Sequence, residues 1–217
     1  MEYVNNPDTD IHTQIASQVF RIPKEKISKA QRTVAKQTVY GMIYGRSTWS
    51  IAKEYGMSED EVNRFTNGFF KAFSQATQYI EKTVMLMEKQ GYVVNLFGRR
   101  RRALNIYSKD KFLKMSAQRQ ARNFCLQSGA ADLIYVTMIK LYKTLLPYNA
   151  KILMQIHDSL IIEIKDEELN KVVLVVKKIM ENAVKLKCSL KIDIEYGKCL
   201  GNMVDWVYND EGKKEKV

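Results

Sequence analysis

The feature that most constrains this 217-residue chain is a change of hydrophobic period at Pro147. Before it, apolar residues recur every three or four positions, the spacing of helices that bury one face. After it, Ile152 to Ile156 (ILMQI) and Ser159 to Ile164 (SLIIEI) flank the polar pair His157 and Asp158, which predicts a β-hairpin with that pair at its tip. A helical first part followed by strands makes the fold α+β: a helical region, then long helices with a small antiparallel sheet.

The helices have legible starts. Asp10 to Phe20 places Ile11, Ile15, Val19 and Phe20 at helical spacing, with Asp8, Thr9 or Asp10 able to cap and His12 expected on the exposed side. Arg21 to Ile27, holding Pro23, reads as a connection. Ser28 and Gln31 fit a capping box opening a helix through Arg46, and Ser58 and Glu61 fit another that carries Val62, Phe65, Phe69 and Phe70 toward a core. A further helix runs from Ser74 to Gln90 and stops at Gly91.

On the Gln31 to Arg46 stretch, QRTVAKQTVYGMIYGR, Arg32, Lys36, Tyr40 and Tyr44 fall at four-residue steps. Two cations and then two rings therefore climb one slowly drifting stripe, beside an apolar face of Ala35, Val39, Met42 and Ile43. The stripe could hold a nucleotide, but the spacing alone favours an amphipathic helix with a solvated basic edge and two half-buried tyrosines. Gly41 and Gly45 each cost about 1 kcal/mol against Ala in a helix, so something needs close approach there.

Tyr92 to Phe97 is expected as a strand, with Gly98 turning into Arg99, Arg100, Arg101 and Arg102. Four arginines in a row make either a solvated loop or a contact to a phosphate backbone. A long helix follows from Lys109 to Leu146, broken at Gly129, with Arg119, Asn123 and Gln127 at four-residue steps. Another begins at Asp166 and ends near Lys187, and the alternating Leu190 to Gly197 reads as a third strand beside the hairpin. Asn209 to Val217 is polar and expected to fray.

The net charge of +11 asks for an anionic partner, of which nucleic acid is the commonest. A Lys-rich face paired with a continuous apolar one is missing, as is an apolar run long enough to span a bilayer, so a membrane partner is not expected. Three cysteines without C-x-x-C spacing, and an acidic polar start unlike a signal peptide, point to a reducing, cytoplasmic setting. Cations, flat rings and a carboxylate at a hairpin tip are parts that phosphoryl transfer uses, with carboxylates holding divalent metal. Asp158 could ligate Mg²⁺, or stand where it does because Asp tolerates turns.

Arg32 to Gly45, RTVAKQTVYGMIYG, resembles motif B of the family A DNA polymerases, and Gln155 to Ser159, QIHDS, resembles their motif C. Asp10 to His12, Gly98 to Arg100 and the Arg119, Asn123, Gln127 spacing fall in the same order, so the resemblance runs from about Asp10 to Gly201. It implies a fingers region over residues 1–108 and the C-terminal part of a palm over 109–217. By it, His12, Arg32 and Lys36 hold the triphosphate of an incoming dNTP, Tyr40 stacks on its base and sugar, and Tyr44 lies near the template base. Asp158 binds catalytic Mg²⁺ and forms the catalytic set with Lys36. His157 and Gln155 lie by the primer terminus, and Arg99, Arg100, Arg119, Asn123 and Gln127 contact primer-template DNA.

Three departures accompany the resemblance. Tyr40 stands where much of the family has Phe, which goes with tolerance of nucleotides lacking the 3′ hydroxyl. Ser159 replaces a Glu that often follows the motif C Asp. Motif A, with the other catalytic Asp, belongs before Asp10, where only MEYVNNPDT stands. The expectation is one part of a template-directed polymerase, inactive alone and completed by a second chain with motif A and thumb, as in a split phage enzyme acting in the host cytoplasm. The alternative is a non-catalytic DNA-binding or processivity partner that keeps the polymerase fold.

Overall fold

A computed structural model describes residues 10–206, which form two compact units, 10–129 and 130–206. The motif A region upstream of Asp10 and the tail from Asn209 lie outside the described residues.

The first unit begins with α1 (Ile11–Phe20), whose N-cap is Asp10, one of the three caps expected. Next come α2 (Lys29–Ile43), α3 (Thr48–Tyr55), α4 (Glu59–Ala72) and α5 (Ser74–Gln90). Both predicted capping boxes form: Ser28 with Gln31 and Ser58 with Glu61 exchange side-chain and backbone hydrogen bonds. The helix expected through Arg46 stops at Ile43. The Gly45 amide donates to the Met42 carbonyl and the Arg46 amide to that of Gly41, a Schellman ending that needs the positive φ of 77° at Gly45. Helix α3 was not anticipated; Ser47 caps it and Gly56, at φ 62°, ends it, a pair of signals present in the sequence. Ile15, Ala35, Val39, Ile51, Val62 and Phe65 are buried together, so one apolar face from each of α1 to α4 makes a single core.

Gly41 lies on the inside of this core. A Cβ there would stand 3.2 Å from Ile51 Cδ1, so the missing side chain lets α3 pack directly on α2. Gly91 caps α5 in the left-handed conformation, as expected.

The arginine run is only partly loop: Arg99 lies in the connection, and the three arginines after it are extended and paired. Arg100–Arg102 forms β2, antiparallel to β1 (Tyr92–Val94), with Val93 opposite Arg101. The expected strand to Phe97 is cut short because Asn95 makes the turn: its buried side-chain carbonyl accepts from the amides of Phe97 and Arg99. Val93 packs with Met87, Ile106, Ala117 and Ala121 in a second core.

Helix α6 (Lys111–Leu145) is continuous, so the break expected at Gly129 does not occur. One glycine costs about 1 kcal/mol, little against the cooperativity of a 35-residue helix. In the second unit, β3 (Ala150–Ile156) and β4 (Ser159–Ile164) form the predicted hairpin, with Ile156 paired to Ser159 across the tip. Helix α7 (Leu169–Glu181) follows a 3₁₀ turn at Asp166–Glu168 and ends six residues before Lys187. Leu141, Leu145, Ala150, Val172 and Val176 form the core here. The third strand is a correction: only Glu195–Tyr196 (β5) is extended and paired, and its partner is β6 (Val204–Asp205), not the hairpin. Alternation specifies a half-buried extended segment but not its neighbour. Here the neighbour is selected by Trp206, whose amide donates to the Ile194 carbonyl and whose buried ring meets Tyr196 edge-on at 5.2 Å. Among the described residues no helix is long and apolar enough to cross a membrane.

Candidate functional site

In the first unit, the stripe on α2 is assembled against the start of α1. Asp10 is the junction. One of its carboxylate oxygens, Oδ1, accepts from the amides of His12 and Thr13 and so starts α1; the other, Oδ2, accepts from the Thr13 hydroxyl and from Arg32 Nε at 2.5 Å. The same group thus fixes the approach of His12 and the aim of Arg32. The Arg32 guanidinium holds the Asp10 carboxyl well below the usual carboxylate range, helped by the Thr13 hydrogen bonds and opposed by slight burial. Asp10 was legible only as a cap; its pairing with a residue 22 positions away leaves no local signal.

His12 is not on an exposed side, as its position in α1 had predicted. It is half-buried, with its ring centroid 5.8 Å from that of Tyr40 and its Nδ1 enclosed without a hydrogen-bond partner. The reason is tertiary: α1 lies against α2, so the N-terminal turn that would face water alone faces Tyr40. Burial, then the cations of Arg32 and Lys36, push its pKa down, and Asp10 pulls the other way. Tyr40 and Tyr44 continue the stripe with centroids 6.2 Å apart and planes 12° from parallel. Lys36 and Tyr40 stay exposed while the opposite face of α2 is in the core. His12, Arg32, Lys36, Tyr40 and Tyr44 therefore make one surface, presenting three basic groups and then two flat rings.

The end of that surface is set by α6. A Cβ on Gly45 would stand 3.1 Å from Arg119 Cγ and 3.1 Å from Arg122 Nη1, so the helix exit and the polar stripe of α6 share one place. Arg122, which the four-residue spacing passed over, has its Nε buried without a partner. Asn123 likewise buries its Oδ1 without one, and Gln127 is exposed one turn on. Of the two arginines singled out from the run, Arg99 begins the return from the turn, and Arg100 stacks over the Tyr92 ring at 5.0 Å.

In the second unit the hairpin tip presents Gln155, His157 and Asp158. His157 takes a positive φ of 52°, and its carbonyl accepts from Gln155 Nε2 at 3.0 Å. Asp158 is exposed, and the Ser159 hydroxyl donates back to the Ile156 carbonyl, so Ser159 is spent on the turn. Among the described residues no group of three or more His, Cys, Asp or Glu side chains is placed to hold a metal ion. Mg²⁺ is commonly held by one or two carboxylates together with substrate phosphates, and a single exposed carboxylate such as Asp158 has the chemistry of one such ligand.

This geometry has counterparts in known proteins. A family model described as DNA polymerase family A matches residues 1–202. The chain is 35% identical over 192 residues, 88% of its length, to DNA polymerase I of Caldicellulosiruptor bescii, and 34% identical over 198 residues, 91% of its length, to the thermostable DNA polymerase I of Thermus thermophilus. It spans 23% of the length of each of these relatives. The structure also matches the POL domain of Pol1 from M. smegmatis, solved with DNA primer-template and dNTP: TM-score 0.82 at 29% identity, covering 88% of this chain and 34% of that one. The motif-bearing surfaces and the match over nearly the whole chain agree: the chain belongs to DNA polymerase family A.

Proposed function

We propose that this chain is the nucleotide-delivering and primer-facing part of a template-directed DNA polymerase, which transfers nucleotidyl groups from dNTPs to a primer 3′ hydroxyl. The observation that carries the reading is the single surface of His12, Arg32, Lys36, Tyr40 and Tyr44. Its charge and shape suit a triphosphate followed by a base. The relatives named as DNA polymerase I, and the matched POL domain solved with primer-template and dNTP, support it.

In this reading residues 1–108 act as fingers and 109–217 as palm. Arg32 and Lys36 neutralise the triphosphate, and Lys36 stabilises charge that develops on the departing phosphate oxygens. Tyr40 stacks on the incoming base and sugar, and Tyr44 lies at the template base. Arg99, Arg100, Arg119, Asn123, Gln127, Gln155 and His157 contact primer-template. Mg²⁺, when bound, polarises the reacting phosphate and primer hydroxyl, with Asp158 as the ligand from this chain. The second carboxylate comes from polypeptide beyond the described residues, in a longer chain or a second one.

Titration of the chain with a fluorescent dATP analogue tests this. Binding that Arg32→Ala and Lys36→Ala each weaken by about ten- to a hundredfold is expected, each change removing a charge-assisted phosphate contact worth about 1.5 to 3 kcal/mol. Wild-type protein that does not bind the nucleotide, or variants that bind as tightly, would defeat the reading. Once the second carboxylate is supplied, primer extension follows, and Asp158→Ala abolishes it. Full function in Asp158→Ala would identify a non-catalytic DNA-binding partner instead.

A further inference from the structure

A cavity of about 570 Å³ lies between the C-terminal end of α1 and α4, and no residue of the α2 surface lines it. Helix α1 rises about 12 Å from His12 to Phe20, so the cavity and the nucleotide surface stand at opposite ends of one helix. Its floor is apolar. Ile15 and Phe69 belong to the core of the first unit, and Phe20, Met57 and Phe73 pack against that core while staying half-buried. Two exposed arginines complete the lining, Arg21 where α1 ends and Arg64 on α4. A concave apolar space of this volume with a few polar groups at its edge has the form of a small-molecule site.

We propose that this cavity binds a small amphipathic anion, an aromatic or acyl body carrying one acidic group, with the body on the apolar floor and the charge at Arg21 and Arg64. The site is separate from the polymerase reading and does not depend on it. Three observations converge on such a ligand. The first is charge: the lining holds two arginines against one carboxylate, Glu61, whose Oε2 already accepts from the Ser58 amide and hydroxyl at 2.8 Å each. Arg64 lies near enough to Glu61 to favour its ionised form, yet among the described residues neither Arg64 nor Arg21 has a hydrogen-bond or ion-pair partner. The second is Arg21 itself. It closes α1 in the left-handed conformation at φ 55°, where glycine sits without strain, so only its side chain recommends arginine at that position. The third is Gly68, inside α4 and on the cavity wall. A Cβ there would meet nothing within 4 Å, so no contact within the protein requires a residue that weakens the helix. What its missing side chain leaves open is the cavity. Burial of an apolar body supplies the drive for binding, and the two guanidinium groups orient the acid.

Fluorescence titration of the full chain with anilinonaphthalene sulfonate, an aromatic anion, and with its uncharged counterpart phenylnaphthylamine tests the site. The sulfonate is expected to bind more tightly than the neutral dye by about fivefold or more. Arg21→Gly, which suits the left-handed backbone, and Arg64→Gln each weaken the sulfonate about fivefold and change the neutral dye less than twofold. Gly68→Leu, which places a side chain in the cavity, weakens both dyes about tenfold, while its urea midpoint stays at or above that of wild type because leucine is the better helix former. Displacement of the sulfonate by decanoate identifies an acyl acid as the ligand, and displacement by phenylpropionate an aromatic one. A wild-type chain that binds neither dye, equal affinity for the two dyes, wild-type affinity in Gly68→Leu, or a sulfonate that neither acid displaces overturns the proposal. None of these results touches the polymerase reading, since none of the substituted residues belongs to the α2 surface or the hairpin tip.

Discussion

The surface on α2 and the tip of the β3–β4 hairpin are both read as parts of one reaction, yet they are built in opposite ways. At the α2 surface, several groups are held by others in the same unit: Arg32 by Asp10, His12 against Tyr40, the helix exit by Arg119 and Arg122. Beneath them lies a core with Ile51, Val62 and Phe65 fully buried. At the hairpin, Asp158 stands on a two-residue tip whose bonds are all local, from Gln155 and Ser159 to neighbouring carbonyls. Leu153, Met154 and Ile156 along its first strand are about half exposed. The difference teaches that the α2 surface is preorganised by its own unit, whereas an isolated two-stranded hairpin is marginal in water and one exposed carboxylate makes no metal site by itself.

The largest expected effect lies in stability. Phe65→Ala removes a fully buried ring from the core of the first unit and should cost about 3 to 5 kcal/mol. Met154→Ala, at a side chain 45% exposed on the hairpin, should stay within about 0.5 kcal/mol. Urea denaturation measures both. Equal losses would mean that the hairpin is as tightly supported as the helices and would break the comparison.

A smaller effect isolates the junction at Asp10. Asn caps helices about as well as Asp, so Asp10→Asn keeps the start of α1 and removes only the charge that faces Arg32. The pair is about 40% exposed on both sides, so its loss should cost no more than about 1 kcal/mol of folding stability, read as a shift of the urea midpoint. Asp10→Ala should lose more, because the cap goes too. If Asp10→Asn unfolded at the wild-type urea midpoint, the carboxylate facing Arg32 would add nothing to the junction beyond its cap.

The same contrast explains what was legible in the sequence. Ser28 with Gln31, Ser58 with Glu61, and Gly91 are local devices, and each works as read. The stripe of Arg32, Lys36, Tyr40 and Tyr44 is also local, because helical spacing alone puts those residues on one face. Close approach at Gly41 and Gly45 was foreseeable from their cost, but Ile51, Arg119 and Arg122 as the approaching groups were not. What escaped depends on distant partners. Four arginines show no alternation from which a strand could be inferred, and only pairing with Tyr92–Val94 separates Arg101 from its neighbours. Leu190 to Gly197 alternates well, yet Val204 to Trp206 decides where it pairs.

The smallest expected effect is on pH dependence, and it follows from the burial of His12 against Tyr40. Burial first, then the Arg32 and Lys36 cations, hold the pKa of His12 below its ordinary value in the folded chain, with Asp10 opposing. In the unfolded chain it returns to about 6.5. Between the two values the unfolded state binds more protons, so stability rises with pH across that window and falls as pH drops through the folded pKa. His12→Gln should remove this component, leaving the variant less sensitive than wild type to acidification below about pH 6.5. The measurement is the difference in urea midpoint between the two proteins from pH 8 to pH 5, which cancels the titration of every other group. A difference that stays constant over the whole range would mean that His12 is as free to take up a proton folded as unfolded. The contact with Tyr40 would then be too loose to count as preorganisation, and the α2 surface would resemble the hairpin more closely than its packing implies.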